Sequence, residues 1–173
     1  ELDIFIYGET TIYLSELYKK HKIIACEKYV NGNLNLIKNI EKKNLKNIYI
    51  HNGNVHEILD KNKKRKYFDH VFIFFPDPWP KKKHHKRRLL NPDFLKKIHQ
   101  FMHDRGFLYI ASDSTSYCKQ MINSIYEVRN LFNWENSKEL YYSVEHYFKI
   151  ETKFYKKAIF CGRKPSLFIL KKI

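Results

Sequence analysis

The sequence predicts an α/β fold, a mostly parallel sheet with helices on both faces and an antiparallel strand pair closing its C-terminal side. Three observations lead there. Strand-length apolar runs alternate with longer stretches of helical period, the pattern of successive βαβ units. One run, Val71 to Phe75, stops at Pro76, Asp77 and Pro78, which is how a buried strand brings a carboxylate to its C-terminal edge. The 173 residues are 43% hydrophobic and 16% aromatic, enough apolar surface for one core. With no internal repeat and no flexible linker, residues 1–173 read as a single domain.

The first strand spans Leu2 to Ile6, so the chain opens at or inside a strand and an N-terminal arm is expected to be absent from it. A helix over roughly Ile12 to Lys20 leads to a second strand, Lys22 to Glu27. Val30, Leu34, Ile37 and Ile40 keep helical spacing ahead of a third strand over Asn47 to His51. Val71 to Phe75 is the fourth. Asn91 and Pro92 suit an N-cap and a first helical position, opening a helix with Leu95, Ile98 and Met102 on its inner face. Gly106 to Ser112 forms the fifth strand. Asp113 or Ser114 caps the next helix, whose inner stripe is Tyr117, Met121, Ile125 and Val128. Two aromatic, β-rich runs, Tyr147 to Phe154 and Ser166 to Lys171, supply the closing antiparallel pair. Ligands of such a sheet bind beyond the C-terminal ends of its strands.

A net charge of +15 exceeds what keeping a small domain dispersed requires and points to nucleic acid or another polyanion. The longest apolar runs fall short of the ~18 residues of a membrane span, and the amino terminus lacks a signal-peptide pattern, so an intracellular location, cytoplasmic or nuclear, is expected. Cys26, Cys118 and Cys161 are widely spaced and odd in number; they read as reduced thiols in or near the core. No metal site is expected, with His51 and His56 as surface or turn residues.

The charge concentrates after the fourth strand, where six Lys or Arg fall between Lys81 and Arg88, around His84 and His85. Alone, such a run is most often a solvated face or a nuclear-localisation signal. Here it follows a strand and an acid whose backbone is restricted on both sides by proline. The segment from Phe75 to Leu89, FPDPWPKKKHHKRRL, closely resembles the signature of the TrmB-type tRNA (guanine-N7)-methyltransferases. That resemblance implies a Rossmann-like class I fold, S-adenosylmethionine (AdoMet) as methyl donor, S-adenosylhomocysteine as product, and N7 of guanosine 46 in the tRNA variable loop as acceptor. It assigns the catalytic role to Asp77, also counted with the cofactor site, and RNA contacts to Lys81, Lys83, His84, His85, Lys86, Arg87 and Arg88. Family enzymes work alone, as monomer or homodimer in the bacterial manner, or with a WD-repeat subunit; PDPWPKKKHHKRR is nearer the bacterial pattern.

The other family positions are matched one at a time. Asp3, in Leu-Asp-Ile, resembles the acid of the first motif, with Gly8 the one glycine of the turn between Ile4 and Glu9. Glu27 ends the second strand 19 residues after Gly8, where an acid accepts the ribose hydroxyls; otherwise it is an ordinary exposed strand-end residue. Asn54 matches the position that reads the adenine amino group, or it belongs to a turn-forming Asn-Gly-Asn cluster. Asp113 resembles an acid that holds the guanine, a role compatible with helix capping. Trp79 stacks on a base or anchors the turn by packing. Thr152, Lys153 and Phe154 match Thr-Lys-Phe-Glu, with Tyr155 in place of the Glu, and the nearby Glu151 would point the other way on a strand. Two other classes fit some of these features, a tRNA-binding relative without catalysis and an exocyclic-amine nucleic-acid methyltransferase.

Overall fold

The computed structural model describes residues 3–7, 10–61, 66, 68–138, 144–149 and 152–173, with residues 3–7, 61, 145 and 146 considered as backbone alone. In chain order the elements are β1 (Asp3–Tyr7), α1 (Thr11–Leu17), β2 (Lys22–Glu27), α2 (Val30–Lys43), β3 (Ile48–Asn52), α3 (Val55–Lys61) and β4 (Phe68–Phe74). A 3-10 helix (Lys82–Arg87) follows, then α4 (Pro92–Phe101), β5 (Met102–Ser112), α5 (Thr115–Glu127), β6 (Phe132–Trp134), α6 (Val144–Tyr147), α7 (Lys153–Phe160) and β7 (Ser166–Lys172). The strands form one sheet in the order β3-β2-β1-β4-β5-β7-β6. The first five are parallel, and β7 runs antiparallel to both β5 and β6.

Each face of the sheet carries its own core. Val71, Ile73, Leu108 and Ile110 meet α3, α4 and α5 through Leu59, Leu95, Ile98, Met121 and Ile125. Phe72, Phe74, Leu167 and Ile169 meet Leu14 of α1, Val144 of α6 and Phe148 just after α6. Alternating residues of β4 therefore serve opposite faces, which is why this strand reads as a continuous apolar run. Asn91 caps α4 as its sequence suggests, its Oδ1 accepting from the Phe94 amide at 3.0 Å with Pro92 at the first helical position. Gly106 is needed where β5 shifts register against β4, because a Cβ there would lie 3.0–3.2 Å from the carbonyl oxygens of His103, Asp69 and Phe68.

Three expectations change. The run Tyr147 to Phe154 is not a strand: its described parts are the end of α6, an irregular pair of residues, and the start of α7, while Glu151 lies outside the described residues. Thr152 starts α7, its Oγ1 accepting from the Tyr155 amide at 3.1 Å, so a side-chain cap overrides the aromatic β propensity around it. The partner of β7 is β6 instead. Asn136, 3% exposed, locks that pair by donating to the Leu167 carbonyl and accepting from the Trp134 indole and the Ile169 amide. The helical spacing of Val30, Leu34, Ile37 and Ile40 is that of α2, as expected, with Val30, Leu34 and Ile37 exposed. Met102 does not continue α4; it is buried at the start of β5.

Candidate active site

β1, β2 and β4 end along one edge of the sheet, and a cavity of about 1140 Å³ opens there. Its walls are the start of α1 (Thr10, Thr11, Tyr13), the end of β2 with Cys26 and Glu27, Gly32 of α2, the end of β4 with Phe75 and Asp77, and the start of α7 (Thr152, Lys153, Phe154).

Glu27 is held at the end of β2 by the Tyr29 amide, which donates to its Oε1 at 2.8 Å. Gly32 leaves room for it: a Cβ there would stand 2.9 Å from the Glu27 Cγ and 3.2 Å from its Oε2. Asn33, 7% exposed, donates to the Glu27 carbonyl and to the Asn52 side chain, both at 3.0 Å, and so ties the ends of β2 and β3 together. Beside Glu27 the Cys26 thiol donates to the Gly53 carbonyl at 3.3 Å, and burial pushes its pKa up to about 12. It is a neutral wall residue and no nucleophile. Cys118 is half-buried, whereas Cys161 is exposed and belongs to no core.

Asp77 stands just past β4 between two residues with left-handed backbone, Phe75 (φ 53°) and Trp79 (φ 42°). The Phe75 amide donates to the Ala111 carbonyl at 2.8 Å, and Arg88 Nε donates to the Pro78 carbonyl at 2.8 Å. Pro76 is buried and Asp77 exposed, so the turn fixes a carboxylate at the cavity wall. That carboxylate has no hydrogen bond or ion pair among the described residues, and it is exposed on the cavity wall.

The basic run divides in two. Lys81, Lys82, Lys83, Lys86 and Arg87 are exposed, and His84 and His85 are half-buried. Arg88 is 2% exposed and spends its guanidinium inside the protein. Besides Pro78 it reaches Gln120 Oε1 at 2.9 Å, Ser116 Oγ at 2.9 Å and the Ser116 carbonyl at 3.3 Å, above the Tyr117 ring at 4.9 Å. Its expected RNA contact is corrected, since an arginine with its donors committed to buried acceptors presents none to a phosphate. Trp79 is covered by Arg87, 5.0 Å from the ring centre, and by the edge of His84, so it anchors the turn.

The remaining expected positions separate. Asp3 is the first residue of β1, in register with Lys22 and Phe68 at the opposite edge of the sheet from the cavity, which removes it from the cofactor set. Gly8 lies outside the described residues, as does Glu9; Phe5 and Ile6 are strand positions, because β1 continues to Tyr7. Asn54 is not on the cavity wall. Its Oδ1 accepts from the His56 amide at 3.0 Å while its own amide donates to Glu57 Oε1 at 3.1 Å, a reciprocal cap for α3. Asp113 pairs with Arg163 at 3.2 Å, outside the cavity, and Ser114 takes the N-cap position of α5. Tyr155 is half-buried against the α1-side core, its hydroxyl without a partner among the described residues.

Thr10 and Gly32 were not singled out by sequence. Thr10 is 1% exposed, lines the cavity, and its Oγ1 has no partner among the described residues, the condition of a group awaiting a polar ligand. The adjacent threonines after the first strand were the available signal.

A family model described as "Putative methyltransferase" matches residues 3–165. The tRNA (guanine-N(7)-)-methyltransferase of Buchnera aphidicola subsp. Baizongia pistaciae is 30% identical over 157 residues, covering 91% of this chain and 64% of that protein. Its counterpart in Wolbachia pipientis wMel is 32% identical over 161 residues, with coverages of 93% and 69%. The chain spans between half and about two thirds of the length of the first relatives that it matches. Among solved structures, NSun6 from Pyrococcus horikoshii with SFG superposes with a TM-score of 0.65 at 16% identity, over 99% of this chain and 47% of that one. The aminoglycoside resistance methyltransferase NpmB1 gives 0.64 at 13% identity over 100% and 88%. These two likenesses establish the class I methyltransferase fold.

Proposed function

The chain belongs to the TrmB-type tRNA (guanine-N7)-methyltransferase family, and from that premise we propose that it methylates N7 of a tRNA guanine, position 46 of the variable loop, with AdoMet as donor. The observation that carries the reading is one cavity at the strand ends with Glu27 on one wall and Asp77 on another. The residues present fit the donor. Glu27, held by the Tyr29 amide with room left by Gly32, would accept the ribose hydroxyls, and the Thr10 hydroxyl, without a partner among the described residues, would supply a further polar contact.

Bound AdoMet supplies an electrophilic methyl group on a positive sulfonium. Guanine N7 carries its own lone pair, so accepting that methyl group would require no proton to be moved by the protein, and the purine would gain the positive charge that the donor gives up. Asp77 needs no base chemistry: its carboxylate stabilises the imidazolium-like charge and orients the base edge. Lys81, Lys83, Lys86 and Arg87 hold phosphates. Thr152, Lys153 and Phe154, on the cavity wall, would flank the guanine's entry, and Asp113, paired with Arg163 outside the cavity, would meet the base only beyond that wall. A PDPW segment near the bacterial pattern supports action without a WD-repeat subunit, and a tRNA substrate places the work inside the cell.

The test is transfer of labelled methyl from AdoMet to a tRNA transcript, with AdoMet affinity measured in parallel. Wild type should label a transcript carrying G46 and not one carrying A46. Asp77→Asn should lower turnover about 10²-fold while AdoMet affinity changes little. Unchanged turnover would remove Asp77 from the chemistry, and no labelling by wild type would sink the reading.

A further inference from the structure

Residues Lys153, Lys156, Lys157 and Phe160 fall at i, i+3, i+4 and i+7 of α7, one stripe along the helix. On a helix seated against a core that spacing carries the apolar face. Here all four are exposed, Phe160 at 91%, while Ala158 on the other side is fully buried and seats the helix. The stripe therefore faces outward by position, and folding gains nothing from Phe160. Its first residue, Lys153, lines the same cavity as Asp77, and its last lies roughly 10 Å farther along the axis at 1.5 Å per residue. The turn beyond it, through Gly162 (φ 68°), brings Arg163 to Asp113.

We propose that this outward face of α7 is a second RNA-contacting surface, on which Phe160 stacks against an unpaired base flanking the target guanine while Lys153, Lys156 and Lys157 hold the adjoining phosphates. Aromatic rings among cations are how single-stranded nucleic acid is gripped, because every base offers a π face and every linkage a charge. Protein interface cores are instead depleted of lysine, so three lysines along the stripe that ends in Phe160 favour RNA; the first of them, Lys153, has its Nζ 5.2 Å from the centre of the neighbouring Phe154 ring. The inference rests on the tRNA reading above and adds where the strand runs after it leaves the cavity.

The experiment uses the full chain with Phe160→Ala, Phe160→Leu, Phe160→Trp and the pair Lys156→Gln/Lys157→Gln. Equilibrium binding of a tRNA transcript is measured across salt, together with KM, kcat and AdoMet affinity. Phe160→Ala and Phe160→Leu should raise the tRNA Kd and KM about tenfold at unchanged kcat and AdoMet affinity, with Phe160→Trp close to wild type. The lysine pair should lower the salt slope by about 2. Melting temperatures should stay put, because the ring is exposed. A Phe160→Ala protein that binds tRNA as wild type does overturns the inference even if methylation proceeds. Loss of self-association by that variant, with tRNA affinity intact, also overturns it and assigns the face to protein contact. Failure of wild type to bind tRNA would be distinct, since it removes the tRNA reading and this surface together.

Discussion

Asp77 is held by backbone that bulky residues rarely adopt. Phe75 and Trp79 in the left-handed region each cost on the order of 1–3 kcal/mol, and hydrogen bonds from outside the turn keep them there. Arg88 is the larger of these restraints, since one guanidinium reaches Pro78 on the turn and both Ser116 and Gln120 on α5. A lysine keeps the charge but not the fork. Arg88→Lys is expected to lower the melting temperature and turnover while leaving the salt dependence of tRNA binding unchanged; a reduced salt slope would return Arg88 to the RNA surface. At the other wall, Gly32→Ala should push Glu27 aside and weaken AdoMet binding about tenfold, the equivalent of one charge-assisted hydrogen bond. Calorimetry giving the wild-type affinity would show that Glu27 carries no cofactor contact.

At the scale of elements, the 3-10 helix sorts a run that looks uniform in sequence. With three residues per turn, side chains at i and i+3 eclipse. Lys82 and His85 then share a column that leads on to buried Arg88, and His84 and Arg87 share one that covers Trp79. Lys83 and Lys86 form the column in which both helical residues are exposed. Exchanging both for Gln should lower the salt slope of tRNA binding by about 2 with little change in turnover at saturating tRNA. A slope equal to wild type would mean that the run is a solvated face.

Across the whole molecule, the α1-side face of the sheet carries a string of stacked rings. His70 lies 6.0 Å from both Phe107 and Tyr109, and Tyr18 and Phe72 also stand beside it. Burial holds the His70 pKa below its ordinary 6.5; Asp69 opposes that shift and His21 adds to it. The unfolded chain therefore takes up a proton at higher pH than the native one. The contribution of neutral His70 is complete above 6.5 and is lost as pH falls through its native pKa. Urea midpoints should fall between pH 7 and pH 5, and less steeply in His70→Phe. Equal slopes would assign the acid sensitivity to other groups, such as His99, whose pKa is also lowered by burial.

The sequence by itself determined the α/β class, the parallel strands to the end of β5, the Asn91–Pro92 helix start and the delivery of Asp77, because these rest on local periodicity and on proline and capping chemistry. It also carried the family, through a motif whose mixed residue types follow one another in the chain. Tertiary structure alone decided what each motif residue faces. Arg88 and Lys86 are alike as letters, and only packing against α5 buries one and leaves the other in water. Asp3 matched by pattern but starts its strand at the far edge, and Asn54 spends its carboxamide on a cap. The partner of β7 was hidden for the same reason: three residues at Phe132–Trp134 carry little local signal, and long-range pairing with Leu170 and Lys172 makes them a strand.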